Sequence, residues 1–63
     1  MLTNEQKKLI EKINDVKKGI NYYDEQIFNN PNDDYIQVHF KRRRDTCKEQ
    51  LKSLREELKK TLI

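Results

Sequence analysis

The sequence contains one cysteine, one glycine, one proline and no tryptophan. The single Cys47 excludes an intrachain disulfide, and one cysteine with one histidine falls short of the ligands of an ordinary zinc site. The only glycine, Gly19, cannot form a glycine-rich phosphate loop. Domains of this size usually need a disulfide, a metal or self-association. We therefore expect the chain to associate with itself or with another protein, and we expect no cofactor and no metal.

Long apolar runs are also missing. No segment approaches the roughly 20 apolar residues of a membrane span. The opening residues, MLTNEQKK, lack the apolar core of a signal peptide. These features predict a cytoplasmic protein that does not enter the membrane.

Charged residues make up 40% of the chain, hydrophobic residues 33%, and the net charge is +3. This composition would favour disorder if the apolar residues were scattered, but they recur at helical spacing. Thr3 is a good helix N-cap, and Gln6 completes a capping box. Seven residues of the first helix follow the heptad spacing of a coiled-coil seam: Gln6, Leu9, Ile13, Val16, Ile20, Tyr23 and Ile27.

The segment FNNPNDDY interrupts this pattern. We expect Asn29 to end the first helix in the left-handed conformation, Asn30 to cap the second helix, and Pro31 to occupy its first position. The predicted elements of a single unit, 1–63, are a helix over 3–29, a turn over 29–31 and a helix over 31–62. The seam predicted for the second helix comprises Ile36, Phe40, Arg44, Cys47, Leu51, Leu54, Leu58 and then Thr61 or Leu62.

A turn at Asn30 brings apolar residues of the two seams together. Ile27 then faces Ile36, Tyr23 faces Phe40, and the same register places Val16 opposite Cys47, Ile13 opposite Leu51 and Leu9 opposite Leu54. The sequence therefore predicts an all-α fold, an antiparallel two-helix hairpin. Because a lone two-helix core is small, we expect it to dimerise into a four-helix bundle.

Two layers of the predicted seam contain a polar residue. Gln6 faces Leu58, and Arg44 faces Ile20 beside Gly19. We expect Gly19 to leave room for the Arg44 side chain, whose guanidinium could pair with Asp15 or Asp24. A polar residue in such a layer lowers stability but can fix the register and the oligomeric state.

The predicted hairpin separates its charges along its length. The acidic tip, at the turn, comprises Asp24, Glu25, Asp33 and Asp34. The basic waist, halfway along, comprises Lys17, Lys18, Lys41, Arg42, Arg43, Arg44 and Lys48. The waist is either a solvated surface with ordinary ion pairs, such as Lys41 with Asp45, or a binding site for an acidic protein or for nucleic-acid phosphates. Within it, Lys17, Lys18, Arg44 and Lys48 are the candidate anion-binding residues.

Several apolar residues near the turn fall outside the seam. Tyr22, Tyr35 and Val38, together with Lys41, Arg42 and Arg43, form the predicted partner-binding surface, since tyrosine and arginine often anchor interfaces. Phe28 also lies off the seam, and the alternative is that these apolar groups only cover the turn. We expect Cys47 to be a buried apolar residue and His39 a surface residue.

No arrangement of residues indicates catalysis, so we expect a protein that is not an enzyme. The predicted function is a small, self-associating protein–protein interaction module that acts as a regulator, inhibitor or assembly adaptor. The small size would also fit a phage or mobile-element gene. One alternative is an RNA- or DNA-binding four-helix bundle that uses the basic waist, and a second is a structural coiled-coil component.

Overall fold

The computed structural model describes residues 1–62, which form two long helical arms packed against each other. The first arm is α1, Asn4–Asn29. The second arm begins with a helical turn at 34–35, continues through a π-helical segment, Ile36–Phe40, and ends with α2, Lys41–Thr61. The Cα atoms extend over 47 × 15 × 11 Å. The predicted all-α hairpin is therefore confirmed. Within residues 1–62, no helix is both long and apolar enough to cross a bilayer.

The capping box predicted at the start of α1 is present. The Gln6 main-chain nitrogen donates to the Thr3 hydroxyl at 3.1 Å, and the Thr3 main-chain nitrogen donates to Gln6 Oε1 at 2.9 Å. Two of the main-chain N–H groups left free at a helix start are satisfied in this way.

The turn differs from the sequence prediction in three respects. Among residues 1–62 no residue has a positive φ, so Asn29 is not left-handed. Asn30 ends α1 instead, through a side-chain hydrogen bond from Nδ2 to the Gln26 carbonyl at 2.9 Å. The second arm begins at Asp34 rather than Pro31, because Asp33 caps it by accepting a hydrogen bond from the Ile36 main-chain nitrogen at 3.2 Å.

The π-helical segment explains the spacing of the second seam. Ile36, Phe40 and Arg44 are separated by two successive intervals of four residues, whereas an α-helical seam alternates between three and four. A π-helical turn takes up one additional residue. The segment therefore keeps Ile36 and Phe40 in line with the α2 residues that follow.

Burial follows the predicted seams closely. Leu9, Ile13 and Ile20 form the buried apolar core together with the polar Gln6. In the second arm, every predicted seam position from Ile36 to Thr61 is half-buried, as is Gln37. No residue of the π-helical segment or of α2 is fully buried. The core is therefore a single narrow layer. Its α1 residues are buried, whereas its residues from the second arm remain partly exposed to solvent.

A glutamine holds each end of the hairpin. Gln37 Nε2 donates to the carbonyls of Ile27 and Asn30, at 2.9 and 3.0 Å, and so ties the second arm to the end of α1. At the opposite end, Gln6 Nε2 donates to the Thr61 carbonyl at 3.1 Å. The predicted register places Gln6 opposite Leu58, whereas the Gln6 amide binds Thr61, three residues later.

Candidate interaction surfaces

Aromatic rings from both arms meet just below the turn. The rings of Tyr23 and Phe40, which face each other in the predicted register, lie edge to face with centroids 5.3 Å apart. Tyr22 packs on the same pair, at 5.6 Å from Tyr23 and 6.3 Å from Phe40. These separations are those of favourable aromatic contacts. The two arms are therefore held together here by three rings.

The π-helical segment extends this cluster along the second arm. The ring of Tyr35, which immediately precedes the segment, has its centroid 4.4 Å from that of His39 and 6.4 Å from that of Phe40. The Arg43 guanidinium carbon lies 5.9 Å from the Phe40 centroid, within cation–π range. His39 is exposed, as predicted, and its ring contacts that of Tyr35. We refer to the five residues Tyr22, Tyr23, Tyr35, His39 and Phe40 as the aromatic cluster.

Much of the apolar surface near the turn faces solvent. Tyr22 is 53% exposed, Tyr35 57%, Val38 53% and Phe28 84%. Tyr22 and Tyr35 both touch Phe40, so two of the three apolar residues of the predicted partner-binding surface belong to one cluster. Exposed aromatic side chains in such a cluster are suited to contact with another macromolecule.

Arg44 binds an acidic residue on each arm. Its guanidinium lies 3.3 Å from Asp24 on α1 and 3.3 Å from its neighbour Asp45. Of the two partners expected for Arg44, the structure therefore shows Asp24 and not Asp15. The predicted role of Gly19 was wrong, because a Cβ atom at that position would meet no atom within 4 Å. The Arg44 side chain does not need that space.

The other cations of the basic waist are exposed: Lys17, Lys18, Lys41, Arg42, Arg43 and Lys48. Within residues 1–62, both ion pairs use Arg44, so the expected pair of Lys41 with Asp45 does not form. Arg44 is the half-buried member of the waist and is occupied by the hairpin itself. The six exposed cations are therefore the ones available to an anionic partner.

A groove along α2 was not foreseen from the sequence. Leu51, which is half-buried, lies between Lys48, Lys52 and Arg55 in a depression that also includes Glu56 and Lys59. Its volume is about 250 Å³. Cations at intervals of three and four residues on one helix face were the sequence signal for it.

Cys47, one turn before Leu51, is a half-buried free thiol rather than the fully buried residue expected.

Comparison of the chain with protein-family models, with curated proteins and with solved structures found no match.

Proposed function

We propose that this hairpin is a non-enzymatic interaction module that self-associates, as a dimer forming a four-helix bundle, and regulates a partner protein by covering part of its surface. The partner has an acidic surface. The residues that contact it are Tyr22, Tyr35, Val38, Lys41, Arg42 and Arg43.

The observation that carries this proposal is the amount of surface left uncovered. The chain exposes 5230 Å². The size relation for globular monomers gives about 4,300 Å² for a protein of 7.7 kDa. The excess, about 900 Å², is close to the roughly 800 Å² that each partner contributes to an interface of standard size.

The half-buried second arm supports self-association. Ile36, Phe40 and Cys47 of the second arm are only half-buried against α1, so each remains partly open to solvent. A second hairpin on this side would complete the burial of this part of the seam, which is how the stripes of a four-helix bundle are covered. Burial of apolar area contributes about 25 cal/mol per Å², so even part of the excess surface would stabilise the assembly.

The partner surface combines two kinds of contact. Tyr22 and Tyr35 offer exposed rings, and Arg43 carries positive charge beside the same cluster. Aromatic and arginine side chains of this kind supply most of the binding energy at many interfaces. The neighbouring Lys41 and Arg42 would attract an acidic surface and raise the rate of encounter.

The test has two stages. Sedimentation equilibrium between about 1 μM and 1 mM is expected to show a concentration-dependent dimer. Affinity capture from the source cell, after nuclease treatment, then compares the wild type with Tyr22→Ser/Tyr35→Ser. We expect a protein retained by the wild type and lost by the double variant. Gln50→Ser, an exposed change elsewhere on α2, is the matched control. A chain that stays monomeric at 1 mM and retains nothing specifically refutes the proposal.

The exposed cations of the waist favour a second candidate, binding of RNA or DNA phosphates. Filter binding at about 50 and 200 mM salt distinguishes the two functions. Contacts to several phosphates would weaken the affinity by orders of magnitude over this range. Absence of binding at the lower salt concentration excludes this candidate.

A further inference from the structure

The charges of the hairpin are segregated along its long axis. Residues 24–34 include four acidic residues and no basic residue. Residues 17–18 and 41–48 together include seven basic residues and one acidic residue, Asp45. Within residues 1–62, the ion pair of Arg44 with Asp24 is the one that joins the two regions. Most charges of both the acidic tip and the basic waist are therefore unpaired within this part of the chain.

The aromatic cluster lies midway between these regions. The contact of Tyr23 with Phe40 marks its level along the axis. At a rise of 1.5 Å per residue, the turn at Asn30 lies about 10 Å above that level, and Lys17 about 9 Å below it. Lys48, on the second arm, lies about 12 Å below it. Tip and waist are thus nearly equidistant from the exposed rings.

We propose that a second copy of the chain binds here in an antiparallel orientation, so that the acidic tip of each copy lies on the basic waist of the other. The two-fold axis passes at the level of Tyr22 and Phe40, and the exposed rings of the two copies pack against each other. The dimer therefore covers the surface assigned above to the partner protein, and partner binding competes with dimerisation. This arrangement, the tip-to-waist dimer, rests on the self-association proposed above and specifies its geometry. An isologous interface forms every contact twice, so one complementary pair of surfaces becomes two.

Charge disfavours the two simpler arrangements. Antiparallel hairpins that overlap along their whole length have their axis near Val16 and Cys47, which is the level of the basic waist. Parallel hairpins place tip against tip and waist against waist. Both arrangements bring like charges together, which weakens association at moderate salt. In the tip-to-waist dimer, both overlaps join opposite charges.

The geometry is tested by measuring distances between spin labels in the full chain. In the Gln50→Cys/Cys47→Ser variant the spin label is attached at position 50, about 15 Å along the axis from Phe40. The two labels of a tip-to-waist dimer are therefore at least about 30 Å apart. In a fully overlapping or a parallel dimer they lie within about 20 Å. A second label position, Asn32→Cys in the same Cys47→Ser background, distinguishes the fully overlapping dimer from the parallel dimer. The axial distance between its two labels is about 45 Å with full overlap and near zero in the parallel dimer.

Charge reversal gives an independent test. The tip variant Glu25→Lys/Asp34→Lys is expected to raise the dimer Kd at least tenfold at 50 mM salt. The waist variant Arg42→Glu/Arg43→Glu is expected to do the same. An equimolar mixture of the two should regain dimerisation in part, because one of the two overlaps then joins the unchanged acidic tip of one chain to the unchanged basic waist of the other. Circular dichroism checks that both variants remain helical, and Asp33 is left intact because it caps the second arm.

The outcomes separate this inference from the function on which it rests. A wild-type chain that remains monomeric at 1 mM removes the self-association itself. If the wild type dimerises but the Gln50→Cys/Cys47→Ser variant gives label distances below about 20 Å, or if the tip variant dimerises normally, only the tip-to-waist geometry is removed. Long label distances together with rescue in the mixture establish it.

Discussion

The Gln6 side-chain amide donates a hydrogen bond to the Thr61 carbonyl, 3.1 Å away and 55 residues later in the chain. The same side chain accepts the Thr3 main-chain N–H, and only 7% of Gln6 is exposed. One polar residue therefore caps α1 and fastens the last turn of α2. Because both of its polar atoms have partners, its burial is not costly.

Replacement of this residue should loosen the open end of the hairpin. We expect Gln6→Ala to lower the free energy of unfolding by about 1–2 kcal/mol, since the cap and the contact with Thr61 are lost together. Urea denaturation at a fixed chain concentration measures this. Gln50→Ala makes the same chemical change at an exposed position and should stay within about 0.5 kcal/mol of wild type. Equal effects of the two substitutions would mean that neither the cap nor the contact with Thr61 adds to the stability.

Gln37 has the corresponding role at the turn, where its Nε2 donates to two main-chain carbonyls. Gln37→Glu keeps the shape but places a carboxylate oxygen against those carbonyls. We expect it to destabilise the hairpin by about 1–3 kcal/mol, more than Gln37→Ala. Thermal unfolding followed by circular dichroism tests this order, with Gln50→Glu as the control for the added charge. The reverse order would show that the amide donor is not what holds the turn.

Arg44 occupies a seam position that an apolar residue would fill better. Its ion pair with Asp24 is partly exposed, and such pairs contribute little. We expect Arg44→Leu to raise the melting temperature by about 4–8 °C, the equivalent of roughly 1 kcal/mol for a chain of this size. It should also broaden the distribution of oligomers in sedimentation, because a polar layer helps to select one state. Arg55→Leu, at an exposed position outside the basic waist, is the control, and a lower melting temperature for Arg44→Leu contradicts the prediction.

Gly19 lies inside α1 without a structural need for glycine. Its φ is not positive, and an added Cβ would meet nothing within 4 Å. We therefore expect Gly19→Ala to stabilise the hairpin by about 0.5–1 kcal/mol, with Gly19→Ser in between, following helix propensity. Chemical denaturation of the three chains gives the order directly. Destabilisation by alanine would indicate that a second chain approaches this position closely.

The hairpin and its register could be predicted because apolar periodicity reports directly on buried faces. The half-buried residues from Ile36 to Thr61 are the predicted seam, with Gln37 as the one addition. The turn was harder to predict, since Asn30, Pro31 and Asp33 are each acceptable at several positions of a helix boundary. Tertiary hydrogen bonds made by Gln37 help to select among them.

Two parts of the candidate site could not be predicted from the sequence. They are the π-helical segment and the pairing of Arg44 with Asp24 and Asp45. Two successive intervals of four between Ile36, Phe40 and Arg44 were a visible sign of an additional residue in the turn. The choice of Asp24 over Asp15 depends on the direction in which a long side chain extends, and heptad spacing does not determine it.

The fastening of Gln6 to Thr61 also has a practical consequence for experiments. Because it brings the first turn of α1 and the last turn of α2 to the same pole of a molecule whose Cα atoms span 47 Å, a purification tag, a fluorophore or a surface attachment introduced beside either turn lies far from the rings and from the acidic tip. Immobilised protein will therefore present the turn outward. Biosensor measurements can be made through either terminus, and agreement between the two orientations provides an internal check on any affinity obtained.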